Sequence, residues 1–205
     1  MLEMMRKRFP RKFFVKIDAE VQGWCSADTA SCLWKFAQEN PSLGVIVEIG
    51  SAWGKSTIVL AEASRRIDEG KVYAVDPHTG GIGYLKQRGV DKIDSFPVFK
   101  ENLEKFNVSD LVIPIIETSE QAAKLWDSSL QIRMLYVDGL HTSEAVEVDI
   151  NSWLPFVAPR GLIIFDDYFQ PSIPLYKAKI DELLTDKKVK LPLKKCGNLV
   201  YTYKK

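Results

Sequence analysis

The chain lacks several features that would place it in a specialised class of protein. No apolar run approaches the roughly 18 residues of a membrane-spanning helix, and the charged N-terminus is not followed by the apolar core of a signal peptide. The net charge of +1 at pH 7 is not the strongly basic balance typical of nucleic-acid-binding proteins. We therefore expect a cytoplasmic protein with no transmembrane segment and no nucleic-acid partner.

Cysteine is also scarce. The chain contains Cys25, Cys32 and Cys196, whose spacing matches no zinc-binding pattern and whose odd number is unlike the paired framework of a small secreted domain. This usage favours a reducing, cytosolic setting in which the cysteines stay reduced.

The remaining composition predicts one domain with a sizeable core, because 46% of the 205 residues are hydrophobic and 27% are charged. We divide the chain into a basic N-terminal arm, residues 1–22, and a single domain, residues 23–205. The arm is expected to be solvated, although weak contact with an anionic membrane surface or closure over an acidic substrate stays open. The sequence also leaves open whether the chain forms a homo-oligomer.

Strand and helix patterns alternate along the chain. Five β-rich runs are nearly continuous in valine, isoleucine, leucine and tyrosine, which is typical of strands buried on both faces of a parallel sheet. Helical apolar stripes lie between them, the clearest running from Val146 to Val157. These features predict an α/β, doubly wound sheet. The five runs are residues 45–49, 71–75, 111–115, 132–137 and 161–165.

The C-terminal part departs from this alternation. Gly197-Asn198 separates two β-rich runs, residues 189–193 and 199–203, and such a pair is typical of a hairpin turn. We therefore expect a mostly parallel seven-stranded sheet, Rossmann-like, with an antiparallel C-terminal hairpin. The glycine-rich stretch 77–94 is a candidate mobile loop.

The first strand leads into a turn that predicts a ligand-binding loop. Residues 48–57 read EIGSAWGKST, and a glycine turn that opens a helix offers free backbone N–H groups. The spacing is one residue short of the nucleoside-triphosphate motif and lacks the glycines of the dinucleotide motif. A carboxylate at Glu48 would repel a diphosphate but attract the cationic amine of S-adenosylmethionine. The alternative is a tight turn without a ligand. The predicted cofactor contacts in this segment are Glu48, Gly50, Ser51, Trp53, Gly54 and Ser56.

Two later strands offer contacts to a nucleoside. Asp76 ends the second strand, where an acid can accept hydrogen bonds from both ribose hydroxyls. Thr118 and Ser119 are polar residues that follow the third strand. A solvated Asp76 and ordinary loop hydroxyls are the alternatives.

Acidic residues follow the fourth and fifth strands. Asp138 comes after one, Asp166-Asp167 after the other, and the three should converge because the two strands are neighbours in this topology. Three close carboxylates repel one another unless a cation neutralises them, and Mg²⁺ prefers such oxygen ligands. His141 could take a proton from a metal-bound alcohol. The alternatives are a turn-forming acidic pair and a hydrogen-bonded loop histidine.

These segments together resemble one branch of the class I S-adenosylmethionine-dependent methyltransferases, with macrocin-type and rhamnosyl O-methyltransferases and cephalosporin-hydroxylase-like proteins. The resemblance is carried by VEIG at 47–50, GKST at 54–57, YVDGLHTSEA at 136–145, WLP at 153–155 and GLIIFDDY at 161–168.

This resemblance implies methyl transfer to a hydroxyl of a small molecule or glycan sugar. It implies a cofactor pocket at Glu48, Gly50 and Asp76, with Thr118 and Ser119 as candidates to contact the adenine. It also implies Mg²⁺ held by Asp138, Asp166 and Asp167. His141 then corresponds to the base of macrocin-type members, where catechol-type enzymes carry a lysine. We assign His141 and Asp138 as the catalytic residues, with Asp138 also contacting the cofactor. The alternatives are a P-loop-like nucleotide hydrolase and a catalytically silent cofactor-binding subunit.

Overall fold

A computed structural model describes residues 9–40, 43–68, 70–80, 93–185 and 189–205. The predicted mobile loop at 77–94 lies mostly outside these residues, as do the first eight residues of the basic arm. The strands in chain order are β1 Val45–Ile49, β2 Val72–Val75, β3 Val112–Ile115, β4 Ile132–Val137, β5 Val157–Phe165, β6 Lys194–Cys196 and β7 Leu199–Tyr203.

Helices alternate with the strands. They are α1 Arg11–Glu20, α2 Ala27–Phe36, α3 Lys55–Arg65, α4 Phe96–Lys105, α5 Ser119–Lys124, α6 Ser143–Trp153 and α7 Pro174–Thr185. Three of them begin at a hydroxyl cap, since Ser26, Thr118 and Thr142 each accept a hydrogen bond from a backbone N–H three residues later.

In the described residues the strands form one seven-stranded sheet in the order β3-β2-β1-β4-β5-β7-β6. β1 to β5 are parallel, whereas β7 pairs antiparallel with β5 and with β6. The predicted fold class and the hairpin at Gly197-Asn198 are confirmed. The predicted run at 189–193 contributes only a bridge between Val189 and Lys204, because the paired strand begins at Lys194.

Both faces of the sheet are covered, which explains the near-continuous apolar strands. One core, which includes the fully buried Trp34, packs α1 to α4 against the sheet. The other, around Trp153, packs α5 to α7 against the opposite face. All six residues of β4 are buried.

The C-terminal part of the basic arm is a packed helix. Phe14 and Ile17 of α1 are buried in the first core, and Val21 follows them there. The boundary between residues 22 and 23 stays a prediction. Among the described residues, no helix combines the length and the apolar character needed to cross a bilayer.

The prediction that the cysteines are reduced is wrong for two of them. Cys32 on α2 and Cys196 on β6 form a disulfide, whereas the buried Cys25 is free. The two partners are 164 residues apart in sequence. Only the fold brings them together, so spacing along the chain does not reveal the pair.

Candidate active site

The candidate site lies where the winding of the sheet reverses. β1 pairs with β2 on one side and with β4 on the other, and in such sheets a crevice opens beyond the strand ends at this point. Backbone hydrogen bonds continue one residue past the strands, from Asp138 N to Ile49 O (2.8 Å) and from Asp166 N to Val137 O (3.0 Å). The loops after β1, β4 and β5 therefore leave the sheet side by side.

The loop after β1 requires glycine at its first position. Gly50 has φ +88°, and a Cβ there would lie 2.1 Å from the carbonyl oxygen of Asp138. The loop after β1 therefore passes directly against the backbone after β4. Gly54 has φ +86° and faces the ring of Phe99, so α3 begins tightly against α4.

Asp76 holds the loop after β1 in place through hydrogen bonds to its backbone. Its Oδ2 accepts hydrogen bonds from the backbone N–H groups of Ser51 (2.9 Å) and Ala52 (2.8 Å), and its Oδ1 accepts one from His78 (2.7 Å). The carboxylate predicted to bind ribose thus also holds the loop that would cradle the cofactor. Sequence reasoning did not anticipate this second role.

Glu48 lies beneath the same loop with none of its surface exposed. Thr57 donates a hydrogen bond to Oε2, while Oε1 meets no donor in hydrogen-bonding geometry within the described residues. Burial raises the pKa of this carboxyl group to about 7, against the opposing effect of the Ser56 and Thr57 hydroxyls. A buried acid with an unpartnered oxygen fits a cationic group in its neighbourhood.

The other predicted loop contacts are buried as well. Ser51 and Ser56 are less than a tenth exposed, and the Ser51 hydroxyl oxygen has no partner in the described part of the chain. The Trp53 ring packs against Trp24, with ring centroids 5.9 Å apart, and its carbonyl oxygen accepts a hydrogen bond from Asn102.

The two hydroxyls after β3 have contacts of a different kind. Thr118 caps α5 by accepting a hydrogen bond from Gln121 N, and Ser119 accepts one from the buried Trp153 indole (2.9 Å). Ser119 thus faces α6, where the buried Asp149 also lies. These observed contacts are structural, and a role for either hydroxyl at the adenine stays a prediction.

The acidic side chains that were predicted to converge include Asp138 and Asp166, which both contact the hydroxyl of Tyr136. The Tyr136 oxygen lies 3.0 Å from Asp138 Oδ2 and 3.0 Å from Asp166 Oδ2. Asp166 Oδ1 accepts a hydrogen bond from the backbone N–H of Asp167, which adopts a left-handed conformation with φ +52°. We call Asp138, Asp166 and Asp167 the acidic mouth.

His141 stands at the acidic mouth. Its Nε2 lies 3.6 Å from Asp138 Oδ1 and 3.5 Å from Asp167 Oδ2. The imidazole packs edge-on against Tyr176 with ring centroids 5.3 Å apart, and its Nδ1 is buried. One ring nitrogen thus faces the carboxylates while the other faces the protein interior.

Burial governs the protonation of the mouth. Desolvation, followed by the charge of Asp166, raises the pKa of Asp138 well above its ordinary value. Desolvation also raises the pKa of Asp166. A cationic ligand would oppose both shifts, since an opposite charge favours the ionised carboxylate.

The donor chemistry of the mouth fits a hard divalent cation, because three carboxylates are the ligands that Mg²⁺ takes. Their arrangement is not yet a coordination site: among the described residues, no group of three or more His, Cys, Asp or Glu side chains is spaced to hold a metal ion. The residues fit the ion in kind, and metal binding stays a prediction.

The position of Lys55 distinguishes the predicted methyltransferase from the predicted nucleotide hydrolase. A P-loop lysine reaches the phosphates of its nucleotide. Here the Lys55 ammonium turns away and donates hydrogen bonds to Asp18 of α1 (2.6 Å) and to the carbonyl of Gly23 (3.2 Å). This placement disfavours the nucleotide hydrolase.

Two contributors to the site were not assigned a role from sequence. Tyr136 sits inside an apolar run, and its only sequence signal is the two-residue spacing that places it on the same side of β4 as Asp138. His78 Nδ1 lies 2.8 Å from Ser95 Oγ, and the backbone N–H of His78 donates a hydrogen bond to Asp76. Nothing in the sequence around His78 indicates these contacts.

The open α/β sheet and its glycine loop define a nucleotide-cofactor fold. Residues 47–168, more than half of the chain, match the family model described as a methyltransferase domain, and the chain belongs to this family. The resemblance found in the motifs is confirmed at that level, as is the prediction of a methyltransferase.

Solved structures share the fold. A structure of the O-methyltransferase NovP is 18% identical with a TM-score of 0.72, covering 86% of this chain and 79% of that one. The SAH-bound methyltransferase PaMTH1 of Podospora anserina is 15% identical with a TM-score of 0.68, covering 100% and 86%. Apo CalS11, a TDP-rhamnose 3'-O-methyltransferase, is 16% identical with a TM-score of 0.56, covering 94% and 79%.

Proposed function

We propose that this protein transfers a methyl group from S-adenosylmethionine to a hydroxyl oxygen of a small molecule, with a sugar or other aliphatic hydroxyl as the favoured acceptor. The observation that carries the proposal is the meeting of the glycine loop with the acidic mouth and His141 at one edge of the sheet. Membership of the methyltransferase family and the SAH-bound relative support the cofactor.

In this proposal the cofactor occupies the crevice beside the loop after β1. Asp76 has one oxygen that accepts a single backbone N–H in the described structure, which leaves capacity for a ribose hydroxyl. Burial raises the pKa of Glu48 and of Asp138, and a cationic amine or sulfonium beside them would favour their ionised forms. The backbone of the loop supplies close approach at Gly50.

The acceptor hydroxyl would lie at the acidic mouth. His141 Nε2 takes the hydroxyl proton while the oxygen attacks the methyl carbon in line and the sulfonium sulfur leaves with the bonding electrons. The products are the methyl ether, S-adenosylhomocysteine (SAH) and protonated His141. Mg²⁺ held by the mouth would make the hydroxyl more acidic. The sugar preference rests on the histidine at position 141 and on the acceptor named for CalS11.

The test is a transfer assay with methyl-labelled S-adenosylmethionine over nucleotide sugars, free sugars and phenols, with Mg²⁺ or with EDTA. We expect labelled product with a sugar hydroxyl and a loss of turnover in EDTA that Mg²⁺ restores. His141→Gln should lower kcat by about 10²–10⁴-fold, with SAH affinity unchanged.

The control carries the same Gln substitution at the exposed Glu101 of α4 and should keep full turnover. No labelled product with any acceptor would contradict the proposed reaction. Full turnover of His141→Gln would remove His141 as the base.

A further inference from the structure

Two buried polar atoms beside the acidic mouth have no hydrogen-bond partner within the described residues. They are Nδ1 of His141 and the hydroxyl oxygen of Tyr176 on α7. The two rings are in edge-on contact with centroids 5.3 Å apart, and Tyr176 is almost fully buried. Such atoms are costly to leave without partners, because each has given up its hydrogen bonds to water.

Asp149 of α6 adds a third polar group to the same place. It is 4% exposed, and its Oδ2 lies 3.8 Å from where a Cβ at Gly139 would be, so it packs against the loop that leads to His141. Burial raises the pKa of Tyr176 well above its ordinary value, and the charges of Asp138 and Asp149 add to this rise. The Tyr176 hydroxyl therefore lies near both carboxylates. A buried water typically takes about three such polar partners.

The proposed reaction needs one particular tautomer of His141. Nε2 must be without a proton in order to take one from the acceptor hydroxyl, so the neutral ring must carry its proton on Nδ1. The acidic mouth opposes this, because Nε2 lies 3.6 Å from Asp138 Oδ1 and 3.5 Å from Asp167 Oδ2, and a carboxylate favours a protonated nitrogen. A hydrogen-bond acceptor at Nδ1 is therefore needed to keep the proton there.

We propose that Tyr176 and Asp149 are positioning residues that bind one buried water against Nδ1 of His141 and thereby hold the ring proton on Nδ1. The inference rests on the role of His141 in the proposed function. The water accepts hydrogen bonds from Nδ1–H and from the Tyr176 hydroxyl, and it donates one to the Asp149 carboxylate. Burial raises the pKa of Asp149 to about 6, so above that pH the carboxylate is mostly ionised and only accepts.

Tyr176→Phe tests this role because it removes the hydroxyl and keeps the ring that packs on His141. Protein labelled with ¹⁵N-histidine is studied in alkaline buffer by two-bond ¹H–¹⁵N correlation spectra, which distinguish a protonated ring nitrogen from a bare one. The chain has two histidines, so the spectrum of His141→Gln identifies the His141 signals. We expect wild type to carry the proton on Nδ1 and the variant to shift the tautomer ratio about 2–10-fold toward Nε2–H.

Turnover should follow the same change. In Tyr176→Phe, kcat should fall in proportion to the lost Nδ1–H tautomer, while SAH affinity stays as in wild type. Asp149→Asn should shift the tautomer ratio in the same direction, since an amide oxygen is a weaker acceptor than a carboxylate. Each variant is read from the spectrum of its own folded state, so a loss of stability does not obscure the tautomer.

Tyr203→Phe is the matched control. Tyr203 also donates to a carboxylate, Glu39 Oε2 at 2.8 Å. The backbone carbonyl of Glu39 accepts a hydrogen bond from Arg133 near the start of β4, so this hydroxyl lies toward the end of the sheet away from the acidic mouth. Tyr203→Phe should keep the wild-type tautomer ratio and kcat.

A wild-type His141 that carries its proton on Nε2 would overturn the proposal, and so would equal tautomer ratios in wild type and Tyr176→Phe. Failure of the proposed function gives a different pattern. In that case SAH binding or methyl transfer is absent from wild type, while the difference in tautomer ratio between the two proteins persists.

Discussion

At the scale of single residues, the ionisation of Glu48 makes the free energy of unfolding depend on pH. Its pKa is raised by burial from 4.5 to about 7 in the folded protein. The folded state therefore holds this proton more tightly than the unfolded state, and the free energy of unfolding falls as pH rises from about 4.5 through 7. The pKa difference corresponds to about 3 kcal/mol.

Glu48→Gln should remove this dependence, because an amide does not ionise. Urea unfolding from pH 5 to pH 8 should show wild type losing about 2–3 kcal/mol relative to the variant. The same substitution at the exposed Glu120 of α5 should leave the pH profile as in wild type. Parallel curves for wild type and Glu48→Gln would mean that Glu48 is not a buried acid.

Asp76 supports a second prediction at this scale. Asp76→Ala leaves the backbone N–H groups of Ser51 and Ala52 without their acceptor, at a cost of about 1–3 kcal/mol each when they stay buried. We expect SAH affinity to fall at least about tenfold, measured by isothermal titration calorimetry. Asp110→Ala, in an exposed position before β3, is the control. Unchanged affinity in Asp76→Ala would exclude Asp76 from the pocket.

At the scale of elements, the cap of α6 joins stability to the site. Thr142 directly follows His141 and accepts a hydrogen bond from Ala145 N at 3.2 Å. Thr142→Ala should therefore lower the free energy of unfolding by about 1 kcal/mol and also lower kcat, because the backbone that carries His141 loosens.

Ser26→Ala separates the two effects. Ser26 caps α2 in the same way, through Thr29 N at 3.1 Å, and it is not part of the proposed site. Urea unfolding and turnover are measured on both variants, and Ser26→Ala should lose stability but keep its kcat. Equal kcat values in the two variants would contradict a link between the α6 cap and His141.

Much of this element-level structure follows from local chemistry. Thr142 as a cap, Gly197-Asn198 as a turn and the apolar run of β4 each have a short-range signal, and the structure has all three. The contact made by Ser119 has no such short-range signal in the sequence. Its hydroxyl meets Trp153, 34 residues later, and only the packing of α5 on α6 brings the two together.

At the scale of the whole molecule, the disulfide joins α2 to the edge of the sheet. Cys32 and Cys196 are 164 residues apart, so the bond closes a long loop and restricts the unfolded chain. Cys196→Ser should lower the free energy of unfolding by about 2–4 kcal/mol under oxidising conditions, measured by urea unfolding. Reductant should lower wild type by the same amount and leave Cys196→Ser unchanged. A wild-type free energy of unfolding that is the same with and without reductant would contradict the presence of the disulfide.

The fold and the neighbourhood of the site were predictable because they depend on the strand order and on the residue types at the carboxyl end of each strand. The acidic mouth required only that β4 and β5 be neighbours. The Cys32–Cys196 pair, the phenol of Tyr136 between two carboxylates and the loop contacts of Asp76 depend on distances across the folded chain. Apart from the two-residue spacing of Tyr136 and Asp138, no spacing in the sequence encodes these distances.

Binding of SAH is the most direct test of the account. Isothermal titration calorimetry of the purified protein should show one saturable site for SAH per chain and no binding of ATP with Mg²⁺. A protein that binds ATP with Mg²⁺ but not SAH would contradict the account.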